Sequence, residues 1–163
     1  MINKLHSTIR GPYTLVGRIP PSLENLSSLE TLSLAYNHLE GNIPHVMGRL
    51  SNLNSIFLGS NNLSGMIPPS LYNLFDIRDF DLGKNQLVGV NSFRGPIPLT
   101  LGIGLNKLQQ LIMGYNNFGS GQAIPETVGR SRTRSSVLVG DDVSGWWVAV
   151  GAVVSDLRDW LHC

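Results

Sequence analysis

Apolar residues recur along this chain at a fixed set of spacings, and the set repeats every 24 residues. In the first copy the apolar positions are Ile19, Leu23, Leu26, Leu29, Leu32, Leu34 and Leu39. Each of them has an apolar counterpart 24 and 48 residues later, and a fourth copy begins at Gly95 with one extra residue near Ile103. This mixture of spacings fits neither a helical period nor simple alternation. A fixed period of this length predicts a solenoid, in which each coil buries its apolar face against its neighbours.

Each copy contains a short predicted strand where two apolar residues stand two positions apart. Leu32 and Leu34 therefore share one face and point inward, and successive copies stack parallel strands at a spacing of about 4.8 Å. An asparagine follows each strand, and its amide both donates and accepts, so it can bridge one coil to the next. These asparagines are Asn37, Asn61, Asn85 and Asn116. A Gly-x-Ile-Pro segment begins each copy; its glycine allows a tight return and its proline ends strand pairing.

These motifs carry a family resemblance. The segment Gly17–Leu39 resembles the plant-type leucine-rich repeat, whose hallmark is Gly-x-Ile-Pro, and the match covers residues 17–118. It is most similar to the ectodomain of plant leucine-rich-repeat receptor-like serine/threonine kinases, without a kinase domain. The resemblance implies an α/β leucine-rich-repeat solenoid, or horseshoe, with a parallel concave β-sheet and turns or 3₁₀ helices on the convex side.

The resemblance also implies what the chain does and where. A truncated ectodomain of this kind binds a protein or peptide ligand in defence or peptide-signal perception, with a co-receptor as a further expected partner. The family location is the extracellular side of the plasma membrane. Two alternatives stay open: a secreted enzyme inhibitor of the polygalacturonase-inhibitor kind, and a truncated gene product with no function of its own.

Departures from the repeat divide the chain into three predicted parts. Residues 1–16 keep the length of a repeat but lose its apolar positions, residues 17–125 hold about four copies and the start of a fifth, and residues 126–163 form a poorly ordered tail. The segment Gly89–Arg94 interrupts the copies. It is either a bulged loop or the remnant of a repeat that has lost about 18 residues, and the phase of Asn91 favours the second interpretation.

Composition excludes several function classes. A net charge of +1 and a charged fraction of 14% give no electrostatic indication of nucleic-acid or membrane-surface binding. The apolar run Trp146–Val154 has nine residues, whereas a membrane helix needs about 20. Residues 1–16 lack the apolar stretch of a secretory signal. The four histidines have no metal-ligand spacing and the chain has one cysteine. We therefore predict no enzymatic activity, metal, cofactor or membrane insertion.

The outward positions of the strands are the candidate binding face. They form three columns with one residue from each copy: Thr31, Ser55, Asp79 and Gln110; Ser33, Phe57, Asp81 and Ile112; and Tyr36, Ser60, Lys84 and Tyr115. Phe57 and Ile112 are apolar where no intramolecular packing requires it, and aromatic anchors are common at interfaces. Asp79 and Asp81 suit a ligand that carries lysine or arginine. Single exposed apolar residues and a solvated acidic face are equally ordinary explanations.

Two sequons are candidate N-glycosylation sites, Asn25-Leu26-Ser27 and Asn62-Leu63-Ser64. Asn25 lies on the predicted convex side. Asn62 directly follows an asparagine of the bridging column, so we expect it to be the less accessible of the two.

Overall fold

The computed structural model describes residues 7–8, 15–88, 107–117 and 136–138. These residues contain ten short strands: β1 Ser7–Thr8, β2 Val16–Arg18, β3 Thr31–Ser33, β4 His38–Asn42, β5 Ser55–Phe57, β6 Asn62–Met66, β7 Asp79–Asp81, β8 Gln86–Val88, β9 Gln110–Ile112 and β10 Ser136–Leu138. Three 3₁₀ helices alternate with the strands: η1 Pro21–Asn25, η2 His45–Arg49 and η3 Pro69–Asn73. The predicted solenoid class is confirmed.

The larger sheet is the predicted concave sheet, with parallel strands in the order β1-β3-β5-β7-β9-β10. Leu32 stands opposite Ile56, Ile56 opposite Phe80, and Phe80 opposite Leu111, so the inward positions form one unbroken row. The step from Phe80 to Leu111 is 31 residues rather than 24, yet the register is kept. Residues 89–106, which absorb this extra length, lie outside the described part. The two interpretations of Gly89–Arg94 therefore stay predictions.

A second parallel sheet, β2-β4-β6-β8, was not predicted. Its first three strands each contain the repeat glycine, and Gly17, Gly41 and Gly65 have φ values of 88°, 74° and 74°. Each of these glycines pairs with the inward leucine of the next coil, as Gly41 does with Leu63. Positive φ suits glycine because it has no Cβ. The prolines follow each strand after one intervening residue, so they end the pairing as expected.

The 3₁₀ helices on the convex side confirm that part of the fold prediction. Each begins after a proline in extended conformation, at Pro20, Pro44 and Pro68. Neighbouring 3₁₀ helices pack closely, because a Cβ added to Gly48 of η2 would lie 2.5 Å from the Cβ of Ser70 in η3. The Ser70 hydroxyl donates to the His45 carbonyl at 2.6 Å and so ties η3 to η2.

One apolar core runs from Ile19 to Met113 and is most complete in the second and third coils. All seven predicted apolar positions of each are buried, from Ile43 to Leu63 and from Ile67 to Leu87. The first coil differs: Leu26 is 42% exposed, although its counterpart Leu50 is fully buried. The prediction that Leu26 is a core residue was wrong. Among the described residues η1 packs against η2 alone, whereas η2 packs against a 3₁₀ helix on each side.

The asparagine column bridges the coils as predicted. The Asn85 amide nitrogen donates to the carbonyls of Leu82 and Gly83 in its own coil and to that of Leu58 in the preceding coil, at 3.0–3.2 Å. Its amide oxygen accepts the backbone N–H of Leu63 at 3.0 Å. Asn61 and Asn116 repeat this pattern, and Asn37 bonds to two carbonyls of its own coil and to the N–H of Leu15. The column therefore satisfies the backbone groups where each strand ends.

Strand β10 lies within the predicted tail and extends the concave sheet beside β9, with Val137 opposite Leu111. At the other end β1 pairs with β3. The proposed boundaries at residues 16 and 125 stay predictions.

Candidate functional site

The concave face is the set of outward side chains along the larger sheet, and we describe it as three rows. Row one holds Thr31, Ser55, Asp79 and Gln110, and row two holds Ser33, Phe57, Asp81 and Ile112, each residue opposite the next in the strand register. Row three holds Tyr36, Ser60, Lys84 and Tyr115, just past the strand ends. The structure therefore brings the predicted face residues together, but Ser55 is buried, with 8% of its surface exposed. The role of these residues in binding stays a prediction.

Row three has a backbone property that the sequence did not reveal. Tyr36, Ser60, Lys84 and Tyr115 all adopt left-handed backbone conformations, with φ between 53° and 58°. A side chain in this region costs roughly 1–2 kcal/mol relative to the right-handed form. The conformation directs the N–H of Tyr36, Ser60 and Lys84 to a carbonyl of the next coil at 2.8–2.9 Å. These inter-coil hydrogen bonds offset the conformational cost.

Aromatic side chains stand at both ends of row three. Tyr36 is 60% exposed and Tyr115 is 43% exposed. The Lys84 ammonium lies 5.8 Å from the centre of the Tyr115 ring, a cation–π distance. The row therefore borders the concave face with two tyrosines and a lysine.

Two glycines lie beneath side chains of row two. A Cβ on Gly59 would come within 2.7 Å of the Asp81 carboxylate, and a Cβ on Gly83 within 2.9 Å of the Ile112 Cγ2. Asp81 and Ile112 thus lean over the glycine of the preceding coil. Sequence reasoning missed these glycines, although their 24-residue spacing was a signal for them.

The two aspartates of β7 are the acidic part of the face. The backbone N–H of Gly83 donates to Asp81 Oδ1 at 2.9 Å, and the Ser55 hydroxyl donates to Asp79 Oδ2 at 2.9 Å. Burial raises the pKa of Asp81 above its ordinary value, against the smaller opposing effects of the Gly83 N–H and the Lys84 charge. Partial burial of a carboxylate favours its neutral form, so this group is poised to gain from a cationic partner.

Both sequon asparagines are exposed. Asn25 is the last residue of η1, and Asn62 is the first residue of β6. Asn62 lies in the second sheet, and the expectation that it is the less accessible of the two stays a prediction. Its amide oxygen accepts a hydrogen bond from the Gln86 side chain. Glycosylation at either position stays a prediction.

The described residues form neither a metal site nor a membrane-spanning helix. Within them, no three His, Cys, Asp or Glu side chains stand close enough together to hold a metal ion. None of their helices has the length and hydropathy needed to cross a bilayer.

Comparisons with known proteins agree with this architecture. The Leucine Rich Repeat family model matches residues 28–50 and 52–74. A search of curated protein sequences found no match.

Solved plant receptor structures match over most of the chain. The ectodomain of the Arabidopsis thaliana receptor kinase GASSHO1/SCHENGEN3, in complex with CASPARIAN STRIP INTEGRITY FACTOR 2, is 38% identical over 78% of this chain, with a TM-score of 0.66. The Arabidopsis receptor kinase HAESA ectodomain, in complex with an IDA peptide hormone ligand, is 31% identical over 76% of this chain, with a TM-score of 0.65. One chain of the Arabidopsis thaliana BIR3–SERK2 complex is 32% identical over 67% of this chain, with a TM-score of 0.54.

The chain is much shorter than these relatives. It spans 14% of the GASSHO1/SCHENGEN3 chain, 19% of the HAESA chain and 54% of the matched chain of the BIR3–SERK2 complex.

Proposed function

This chain carries a plant-type leucine-rich-repeat domain that resembles receptor-kinase ectodomains, and we propose that it binds a peptide or protein ligand on its concave face. The observation that carries the proposal is the register of the outward rows. Side chains from four coils stand side by side there, and no two coils present the same set.

The chemistry of the face supports recognition. Phe57 and Ile112 supply apolar contact area, the row-three tyrosines supply amphipathic rings, and Asp79 and Asp81 supply charge. Binding sites of this kind combine aromatic anchors with a few placed polar groups. Leucine-rich-repeat domains are typically non-catalytic binding modules, and binding rather than catalysis is the activity proposed here.

Solved relatives support a peptide in particular. The HAESA structure holds a peptide hormone ligand, and the BIR3–SERK2 structure is a complex of two proteins. We propose by analogy that this chain contributes to peptide-signal or defence perception at the outside of the plasma membrane, with a co-receptor as second partner. The enzyme-inhibitor and functionless alternatives stay predictions.

The width of the three rows limits the area of ligand that they can contact. Strands β3, β5, β7 and β9 span only about 15 Å at the usual strand spacing. A standard interface buries about 800 Å² on each partner. The proposed contact is therefore a short peptide segment rather than a whole protein surface.

A displayed library of random 12-residue peptides, selected on the full chain, tests the proposal. We expect peptides whose binding falls at least tenfold on Phe57→Ala and on Tyr115→Ala. Phe75→Ala is the matched control, because Phe75 is 60% exposed but follows η3 on the convex side. Peptides that bind the concave variants as well as the original chain would contradict a concave site.

A further inference from the structure

Charge on the concave face is confined to one strand and its end. Asp79 and Asp81 are its carboxylates and Lys84 is its cation, while the remaining side chains of the three rows are uncharged. The Lys84 ammonium lies over the Tyr115 ring in row three. Rows one and two therefore carry only negative charge, which is complementary to a positive group, although the Lys84 charge in row three also acts on Asp81.

Both carboxylates keep acceptor capacity. Each has one oxygen engaged, Asp81 Oδ1 with the Gly83 N–H and Asp79 Oδ2 with the Ser55 hydroxyl. Within the described part of the chain, no ion pair forms at either aspartate. A carboxylate accepts about four hydrogen bonds, so each can take further donors.

The neighbours of Asp81 define the shape of the complementary group. Phe57 and Ile112 stand on either side of Asp81 in the strand register, about 4.8 Å away on each side. Both are partly exposed. A carboxylate between two apolar side chains fits a ligand side chain with an aliphatic stem and a cationic head.

The spacing of the two carboxylates favours a guanidinium over an ammonium group. Asp79 and Asp81 are two residues apart on one strand face, roughly 6.6 Å along the strand. A guanidinium presents five donors in a planar fork and can bond to two carboxylates at once, whereas an ammonium is a compact point charge. The Asp81 carboxylate packs over Gly59, and this contact fixes its position in the pair of carboxylates.

From these features we propose that the concave face docks an extended peptide through one arginine, whose guanidinium bonds to Asp79 and Asp81 and whose stem lies between Phe57 and Ile112. This assignment rests on the proposed function and names the ligand chemistry of the same face. An apolar peptide would bury the carboxylates without a partner, and an acidic one would be repelled by them.

The test extends the peptide selection on the full chain. Selected peptides that depend on Phe57 are sequenced, and the tightest is resynthesised with citrulline, which keeps the shape of arginine without its charge, at each arginine in turn. We expect an arginine at one fixed position and at least a tenfold loss of affinity on its replacement. Asp79→Asn and Asp81→Asn should each cause a loss of similar size toward the arginine peptide and almost none toward its citrulline form.

The asparagine substitutions and a matched control distinguish a loss of binding from a loss of folding. Asparagine keeps an acceptor oxygen for the Gly83 and Ser55 donors, so the fold is expected to persist and thermal unfolding checks this. Asp76→Asn is the control, since Asp76 is an exposed aspartate that pairs with Lys107 outside the three rows.

Each outcome has one meaning. Phe57-dependent peptides that lack arginine, carry lysine in its place, or bind both asparagine variants unchanged would overturn the arginine site and leave the proposed function standing. A selection without any peptide sensitive to Phe57→Ala or Tyr115→Ala would overturn the proposed function and the arginine site together.

Discussion

The inward and outward rows of the concave sheet lie on the same strands but follow different rules. Inward, Leu32, Ile56, Phe80 and Leu111 are at most 3% exposed and vary only in shape. Outward, their neighbours in row two are a serine, a phenylalanine, an aspartate and an isoleucine. The stacking of coils requires apolar bulk inside and nothing definite outside. Differences among coils can therefore accumulate on the outer face at little cost to the fold.

The two faces also differ in how a side chain meets the next coil. Inside, Phe80 packs among apolar neighbours and Asn85 bonds to the coil before it. Outside, Asp81 lies over a glycine and faces solvent in part. We expect substitutions inside to act on stability and substitutions outside to act on binding.

The largest expected effect compares two phenylalanines. Phe80→Ala should lower the free energy of unfolding by about 3–5 kcal/mol, because the side chain is 1% exposed and its removal leaves a cavity. Phe57→Ala, one coil earlier on the outward side, should change stability by no more than about 1 kcal/mol. Urea unfolding of both variants measures the difference. Equal losses would show that the outward row belongs to the core.

The second comparison concerns two asparagines. Asn85→Ala should cost about 2 kcal/mol, because it leaves the buried Leu63 N–H without its acceptor, whereas the Leu58 carbonyl keeps the Asn61 amide as a donor. Asn62→Ala changes an exposed side chain bonded only to Gln86 among the described residues, and should cost less than about 0.5 kcal/mol. The same unfolding measurement applies. A small loss at Asn85 would mean that water replaces the amide bridge.

The sequence predicted the inward face almost completely, because a repeated period leaves one way to bury its apolar positions. It failed at Leu26, where burial depends on a neighbouring coil and not on the residue itself. The second sheet was missed because glycine inside a strand normally weakens it. Here the glycines at positive φ are members of the strands, with Gly41 and Gly65 both in the interior.

The candidate face could be placed but not characterised from the sequence. Which residues point outward follows from strand alternation, and that placement for rows one and two agrees with the register. The left-handed conformation of Tyr36 and its counterparts could not be foreseen, since tyrosine and lysine do not favour it. Nor could the position of the Asp81 carboxylate over Gly59, which depends on contact between coils.

The smallest expected effect is a gain in stability rather than a loss, and it concerns a residue of the outward face. Burial raises the pKa of Asp81 from its ordinary value of 3.8. The stability that protonated Asp81 contributes is fully present below the unfolded-state pKa and is lost as the pH rises through the higher folded-state pKa. Asparagine resembles the protonated form at every pH, so Asp81→Asn should raise the melting temperature at pH 7 and have little effect well below pH 3.8. Thermal unfolding at both pH values measures this. A lower melting temperature at pH 7, or the same shift at both pH values, would contradict a desolvated carboxylate. A gain in stability together with a loss of arginine-peptide binding would show that this outward carboxylate serves binding at a cost to stability.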